Sequence, residues 1–330
     1  MQGSEIRFDP YLNDPLRWGA SMVHHSELML RCLEIAQARS VVEVGAFAGD
    51  LTRVLTAWAQ RSGASVVAVD PCPQEQLVAL AAEQANLELV RDTSLEALPR
   101  LAQAEAIVID GDHNYYTVSE ELRLICQAAP EGATPLLLFH DVCWPHARRD
   151  DYFDPALIPP DRRWPTVSDG AGITPGDPSS TVTGLPYPGS AAHEGGPRNG
   201  VLTAVEDFVT GHESLRLVVI SAFFGFGVVW HASAPWADAL ADLLEPWDRS
   251  ELLERLEANR VGHIAGEHAL RVELWRLQER QSRQERVLNR LLESSAFRVA
   301  ERLSSLRVRA GIAPAQSVIS RGEIRRALDG

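Results

Sequence analysis

Residues 41–55, VVEVGAFAGDLTRVL, read as a strand, a glycine turn and the start of a helix. Glycine tolerates left-handed backbone angles and carries no Cβ, so such a turn can bring the main chain close to a ligand. The helix start presents free N–H groups and a positive dipole end, which suit a carboxylate or a phosphate. Glu43 lies inside the strand, where a carboxylate suits an ammonium group and fits poorly with a pyrophosphate. A dinucleotide fingerprint needs G-x-G-x-x-G; here Gly45 and Gly49 are four apart, with Ala46 and Phe47 in the turn and Thr52 in place of a further glycine. The run SVVAVD ends in Asp70, 21 residues after Gly49. A carboxylate there can accept both hydroxyls of a ribose, or it can serve as a turn aspartate before Pro71. Thr93 and Glu96 read as a helix capping box, with Asp92 just before them.

Two later apolar runs also end in residues that can do chemistry, IDGDHNYYTVSEEL and LLLFHDVCW. Asp110 and Asp141 close neighbouring runs, so their carboxylates can converge at one edge of a sheet. His113 lies three residues beyond Asp110 and can face the same point. An imidazole with an ordinary pKa of about 6.5 can take a hydroxyl proton at neutral pH. The structural alternatives are an exposed loop histidine and a generic strand-end acid.

The elements that must hold these residues follow from hydrophobic pattern. Val41–Gly45, Ser65–Asp70, Leu87–Val90, Ala106–Asp110 and Pro135–His140 read as buried strands. Helical patterns over Leu51–Gln60, Glu75–Gln84, Leu95–Ala102 and Val118–Ala128 alternate with them. That alternation predicts an α/β fold: a Rossmann-like, mostly parallel, seven-stranded sheet with helices on both faces. Ligands of such sheets bind beyond the carboxyl ends of the strands, where Glu43, Asp70, Asp110, His140 and Asp141 gather. Residues 145–199 are rich in Pro and Gly and read as a long irregular insertion, a functional lid or a disordered segment. Within it, His146, Arg148 and Arg149 read as a solvated charged loop. A helix over Leu202–Val209 and a hairpin of Leu215–Ile220 with Gly227–His231 complete the pattern.

The E-x-G-x-x-x-G turn with Asp70 resembles motif I and its partner acid in the class I S-adenosylmethionine-dependent methyltransferases. That resemblance implies a cofactor set of Glu43, Gly45, Ala46, Phe47, Gly49, Asp70, Asp92 and Asp110, with Asp92 beside the adenine. The segments around Asp110 and Asp141 resemble the metal-dependent O-methyltransferases of the catechol and caffeoyl-CoA type, and more closely the bacterial group that modifies sugars and natural products. Carried over by position, Asp110, His140 and Asp141 take metal-ligand places and His113 takes that of the catalytic lysine; Val142 and Trp144 also match. His140 departs from the family's aspartate. Magnesium prefers oxygen donors and imidazole suits manganese, iron or zinc, so either the metal is softer or His140 is not a ligand. The resemblance covers residues 20 to 231 and implies methyl transfer to a hydroxyl of a sugar, glycan or secondary metabolite, with a divalent metal, magnesium or manganese, as an optional cofactor.

The net charge of −14 argues against a general nucleic-acid partner. Every Lys/Arg position is Arg. Four scattered cysteines without a C-x-x-C pair read as reduced thiols of a cytoplasmic protein, and no apolar run is long enough for a membrane span. The expected boundaries are an N-terminal arm over 1–40, a catalytic domain over 41–231 and a helical tail over 232–330. In that tail Leu270, Leu274, Leu277, Leu288 and Leu291 keep heptad spacing, interrupted by Gln281 and Gln284. A coiled coil to a second copy or to a partner helix fits. The segment ESSAFRVAERLSSLRVR resembles segments near the ends of bacterial surface-glycan glycosyltransferases, so a non-catalytic partner of a glycan-assembly enzyme is the alternative reading. An NAD-dependent oxidoreductase fails on the missing glycine.

Overall fold

The computed structural model describes residues 20–101, 103–129, 134–312, 314 and 321–329. It divides into two compact units at Gly266/Glu267. In the first, strands β1 (Ser40–Val44), β2 (Ser65–Val69), β3 (Leu87–Val90), β4 (Ala106–Ile109) and β5 (Leu136–His140) alternate with helices. The helices are α1 (Ser26–Ile35), α2 (Asp50–Ser62), α3 (Glu75–Glu83), α4 (Ser94–Leu101) and α5 (Tyr115–Ala128). A small hairpin of β6 (Gly172–Thr174) and β7 (Asp177–Thr181) follows, then α6 (Val201–Thr210), β8 (Leu215–Ile220), β9 (Phe226–His231) and α7 (Ala237–Leu244). The long helix α8 (Glu251–Glu293) begins in this unit. The second unit holds the rest of α8 with α9 (Ser295–Arg309) and α10 (Arg321–Asp329).

The main sheet has seven strands in the order β3-β2-β1-β4-β5-β9-β8, parallel through β5 and antiparallel at β9 and β8. Its central strands are covered on both faces, which is why β4 and β5 read as unbroken apolar runs. One face packs on α1, α2, α3 and α7 through Met29, Leu55, Leu77 and Leu240. The other packs on α4, α5 and α6 through Leu98, Leu122 and Val205. The chain past residue 231 therefore stays in this core for at least one more helix: Ala237, Leu240 and Leu244 are buried in it. Among the described residues no helix is long and apolar enough to cross a membrane.

The insertion is ordered around buried polar groups. Arg149 is fully buried, not solvated: its guanidinium donates to the carbonyls of Ala191 at 2.6 Å and Pro178 at 3.0 Å. Asp150, also fully buried, accepts from the amides of Tyr115 and Gly200, both at 2.7 Å, and from the Tyr152 hydroxyl at 2.9 Å. Neighbouring charges and Pro/Gly content suggest a solvated loop; long-range partners that local sequence does not show make it a packed one.

Candidate active site

Strand order reverses between β1 and β4, and the site forms where that reversal opens a crevice. Gly45 leaves β1 with φ +85°, and a Cβ there would lie 2.0 Å from the Asp110 carbonyl oxygen. Only glycine fits between these two strand ends. Gly49, with φ +83°, caps the start of α2. Asp70 ends β2 and holds the turn closed: its Oδ2 accepts from the Phe47 amide at 2.7 Å and its Oδ1 from the Cys72 amide at 2.8 Å. Its carboxylate thus does the turn-aspartate work and keeps lone pairs for a ligand. Phe47 is 62% exposed over the turn.

A cavity of about 830 Å³ runs along this edge, lined by Glu43, Gly45, Ala46, Phe47 and Asp70 on one side and by Asp110 and His113 on the other. Glu43 is 2% exposed, and its Oε2 has no hydrogen-bond partner. Burial pushes its carboxyl up to about 8, opposed by the Thr52 hydroxyl and aided by the lesser effects of the Asp110 and Asp70 charges. Asp92 does not line the cavity among the described residues; it pairs with Arg100 at the surface, because its side chain turns toward the end of α4. Thr93, Ser94, Leu95 and Glu96 line that wall instead. The capping box forms, with the Thr93 hydroxyl 2.9 Å from Glu96.

At the other end, four side chains converge. His140 Nδ1 lies 3.1 Å from Asp110 Oδ1 and 3.1 Å from Asp141 Oδ2. His113 Nε2 lies 3.0 Å from Asp141 Oδ2 and 3.7 Å from Asp110 Oδ1. The loop after β4 aims His113: Asn114 caps α5 by accepting from the Thr117 amide at 2.8 Å, and the His113 carbonyl accepts from the Asp151 amide at 2.9 Å. The His113 ring stacks on the buried His146 ring, 5.0 Å between centroids. Burial alone would lower the pKa of His113, but the Asp141 carboxylate overrides it and raises it well above the usual histidine value. His140 behaves alike: burial lowers it, and the Asp141 and Asp110 charges more than reverse that. Burial would raise Asp141, yet His140 and His113 hold it well below the usual carboxylate range.

These residues fit a divalent cation. His140 Nε2 lies 3.0 Å from the Phe223 carbonyl, which can only accept, so Nε2 carries hydrogen and Nδ1 is left facing both carboxylates. A metal-bound imidazole keeps that kind of outer hydrogen bond. The mixed nitrogen and oxygen donors of Asp110, His140 and Asp141 suit manganese, iron or zinc better than magnesium.

Sequence reasoning left several neighbours of the site unassigned. Asp112 accepts from the Phe153 amide at 3.0 Å and the Thr117 hydroxyl at 2.9 Å, bracing the loop. His146 and Asp151 come from the insertion and Phe223 from the β8–β9 loop. Asp112 lies within the segment around Asp110 and His113; His146, read as part of a solvated loop, is buried, and Asp151 and Phe223 belong to no local motif.

Residues 42–142 match the family model described as a methyltransferase domain. The matched segment holds the glycine turn, Asp70, Asp110 and Asp141, the residues that line or adjoin the cavity. No curated protein matches the chain in sequence. Similar solved structures include a candidate caffeoyl-CoA O-methyltransferase from Staphylococcus aureus, at 9% identity and a TM-score of 0.38, covering 63% of this chain and 83% of its own. The SAH-bound methyltransferase PaMTH1 of Podospora anserina has 12% identity and a TM-score of 0.36, covering 69% of this chain and 99% of its own. A candidate O-methyltransferase from Klebsiella pneumoniae has 15% identity and a TM-score of 0.36, covering 68% and 91%. These likenesses are slight and carry no argument.

Proposed function

We propose that the protein transfers the methyl group of S-adenosylmethionine to a hydroxyl of a sugar, glycan or secondary metabolite. The observation that carries this reading is the cavity that joins the motif I turn to Asp110 and His113, with Asp141 and His140 against them. Glu43 receives the ammonium of the cofactor, Asp70 its ribose, and the wall from Thr93 to Glu96 its adenine. The acceptor oxygen attacks the sulfonium methyl carbon in line, the carbon–sulfur bond breaks, and S-adenosylhomocysteine leaves. The acceptor's proton goes to the neutral form of the His113 imidazole, which a cation held by Asp110, His140 and Asp141 would favour by offsetting the carboxylate charge that otherwise keeps His113 protonated, and Asp141 then stabilises the imidazolium. Asp110, His140 and Asp141 would hold a divalent cation, which when bound lowers the pKa of the acceptor hydroxyl.

The test is calorimetry with S-adenosylmethionine, with and without manganese or magnesium, followed by release of S-adenosylhomocysteine against a panel of hydroxylated sugars and phenols. The cofactor binds and NAD does not. His113→Ala lowers turnover by roughly 10²–10⁴ with cofactor affinity nearly unchanged. Asp141→Asn abolishes metal-stimulated turnover. Tight NAD binding, or wild-type turnover in His113→Ala with a true acceptor, overturns the reading.

The tail supports a partner. Leu270, Leu274, Leu277 and Leu291 are exposed on α8. A parallel, in-register pair with a second copy buries this seam and sets Arg280 of each helix opposite Glu285 of the other.

A further inference from the structure

We infer that Glu257, on the tail helix α8, is a positioning residue for His140, acting through the loop between β8 and β9. The inference rests on the place of His140 in the proposed active site. Three consecutive residues of that loop have left-handed angles: Phe223 (φ +46°), Phe224 (φ +67°) and Gly225 (φ +101°). Glycine adopts such angles freely, but for a bulky aromatic residue they are strained and persist only when the surroundings impose them. Here the two strained residues have both their amides held by one carboxylate. Glu257, 8% exposed, accepts the Phe223 amide on Oε2 at 3.0 Å and the Phe224 amide on Oε1 at 2.8 Å.

Glu257 is itself fixed. Arg260, one turn further along α8, donates Nε to Oε2 at 2.7 Å and Nη2 to Oε1 at 2.6 Å. The same guanidinium lies over the Phe224 ring, 4.4 Å from its centroid, and 5.4 Å from that of Phe223. Two parallel N–H···O bonds leave the carboxylate one orientation.

The Phe224 amide that the clamp holds shares its peptide unit with the Phe223 carbonyl, and the Phe224 carbonyl belongs to the next unit. The Phe223 carbonyl accepts from His140 Nε2 at 3.0 Å, and the Phe224 carbonyl accepts from the Cys143 amide at 2.8 Å. The loop therefore grips the chain on both sides of Asp141. The Phe223 ring stacks on His24, 4.2 Å between centroids, which fixes the loop's other face. If the two aromatic residues relaxed to ordinary angles, the Phe223 carbonyl would turn away and His140 would lose the bond that sets which nitrogen faces Asp110 and Asp141. A residue of the tail helix thus sets the orientation of an active-site imidazole that it does not touch.

The test uses the full chain with ¹⁵N-labelled histidine. Three quantities are read: the His140 Nε2–H resonance, hydrogen exchange at the Phe223 and Phe224 amides, and S-adenosylmethionine affinity by calorimetry. Glu257→Gln keeps the size and loses one acceptor. It should cost the two amides about tenfold or more in protection and move the His140 N–H into fast exchange, while the cofactor still binds. Glu257→Leu should do the same more severely. Adding Phe223→Gly to Glu257→Leu should recover part of the amide protection, because glycine holds φ +46° without a clamp while Phe224 keeps its own strain. A folded Glu257→Gln variant with wild-type amide protection and an unchanged His140 resonance overturns the inference. So does a double variant no better than Glu257→Leu alone. Loss of cofactor binding by the wild-type chain would instead refute the proposed function.

Discussion

Binding of S-adenosylmethionine should release a proton at neutral pH, and Glu43 is the reason. Its carboxyl is buried, and desolvation pushes it up to about 8 in the ligand-free chain. At pH 7 it is then about 90% protonated. An ammonium placed against it favours the ionised form, so the proton leaves as the cofactor arrives. The α-amino group of the ligand, with an ordinary pKa of about 7.8, takes up roughly 0.1 proton at pH 7 on being fixed as ammonium. The net release is roughly 0.8 proton per cofactor at pH 7, falls to zero near pH ~8, and turns to net uptake by pH ~9. Titrations in phosphate and in Tris, whose heats of ionisation differ widely, give this number directly from the difference in apparent binding enthalpy. Glu43→Gln should abolish the release and leave only the small uptake. A binding enthalpy at pH 7 that is independent of buffer, or a release that survives in Glu43→Gln, refutes the pairing of Glu43 with the cofactor ammonium.

Three further outcomes follow from the same geometry. Glu121 is fully buried, both its carboxyl oxygens lack hydrogen-bond partners, and burial pushes it up to about 8. A carboxyl whose folded pKa is raised binds more protons in the folded chain than in the unfolded one between its two pKa values, so it subtracts stability as pH rises through that window. Thermal melts should show Glu121→Gln gaining on the wild type from about pH 4.5 to about 8, by a few kcal/mol at the top, and a difference flat in pH would contradict this. Asp70→Ala removes both the two amide contacts that shape the turn and the ribose acceptor. It should weaken S-adenosylmethionine binding by roughly 1.5–3 kcal/mol, about ten- to hundredfold in Kd, measured by calorimetry. In the tail, oxidation of Leu277→Cys should give a cross-linked dimer if the helices pair parallel and in register, and Leu274→Asp with Leu277→Asp should give monomers by light scattering; a monomeric wild type rules the pairing out.

The sequence by itself determined the alternation of strands and helices. Strands buried on both faces must be apolar throughout, and amphipathic helices must repeat their apolar face every turn, so β1 to β5 and their helices are local facts. It also determined the glycine turn, because Gly45 and Asp70 sit at adjacent strand ends and Gly49 opens α2 with a left-handed backbone, places that demand those residue types. Tertiary structure decided what depends on groups distant in the chain. Asp92 carries the same side chain whether it meets adenine or Arg100, and its surroundings in space chose the arginine. Arg149 reads as a surface charge until the carbonyls of Ala191 and Pro178 surround it. His140 gains its orientation from Phe223, and Phe223 from Glu257, residues with no periodicity or motif linking them. Periodicity records which face of an element is buried; it carries no record of which polar group another element will bring to meet it, because a hydrogen bond constrains two atoms in space and leaves their separation along the chain free.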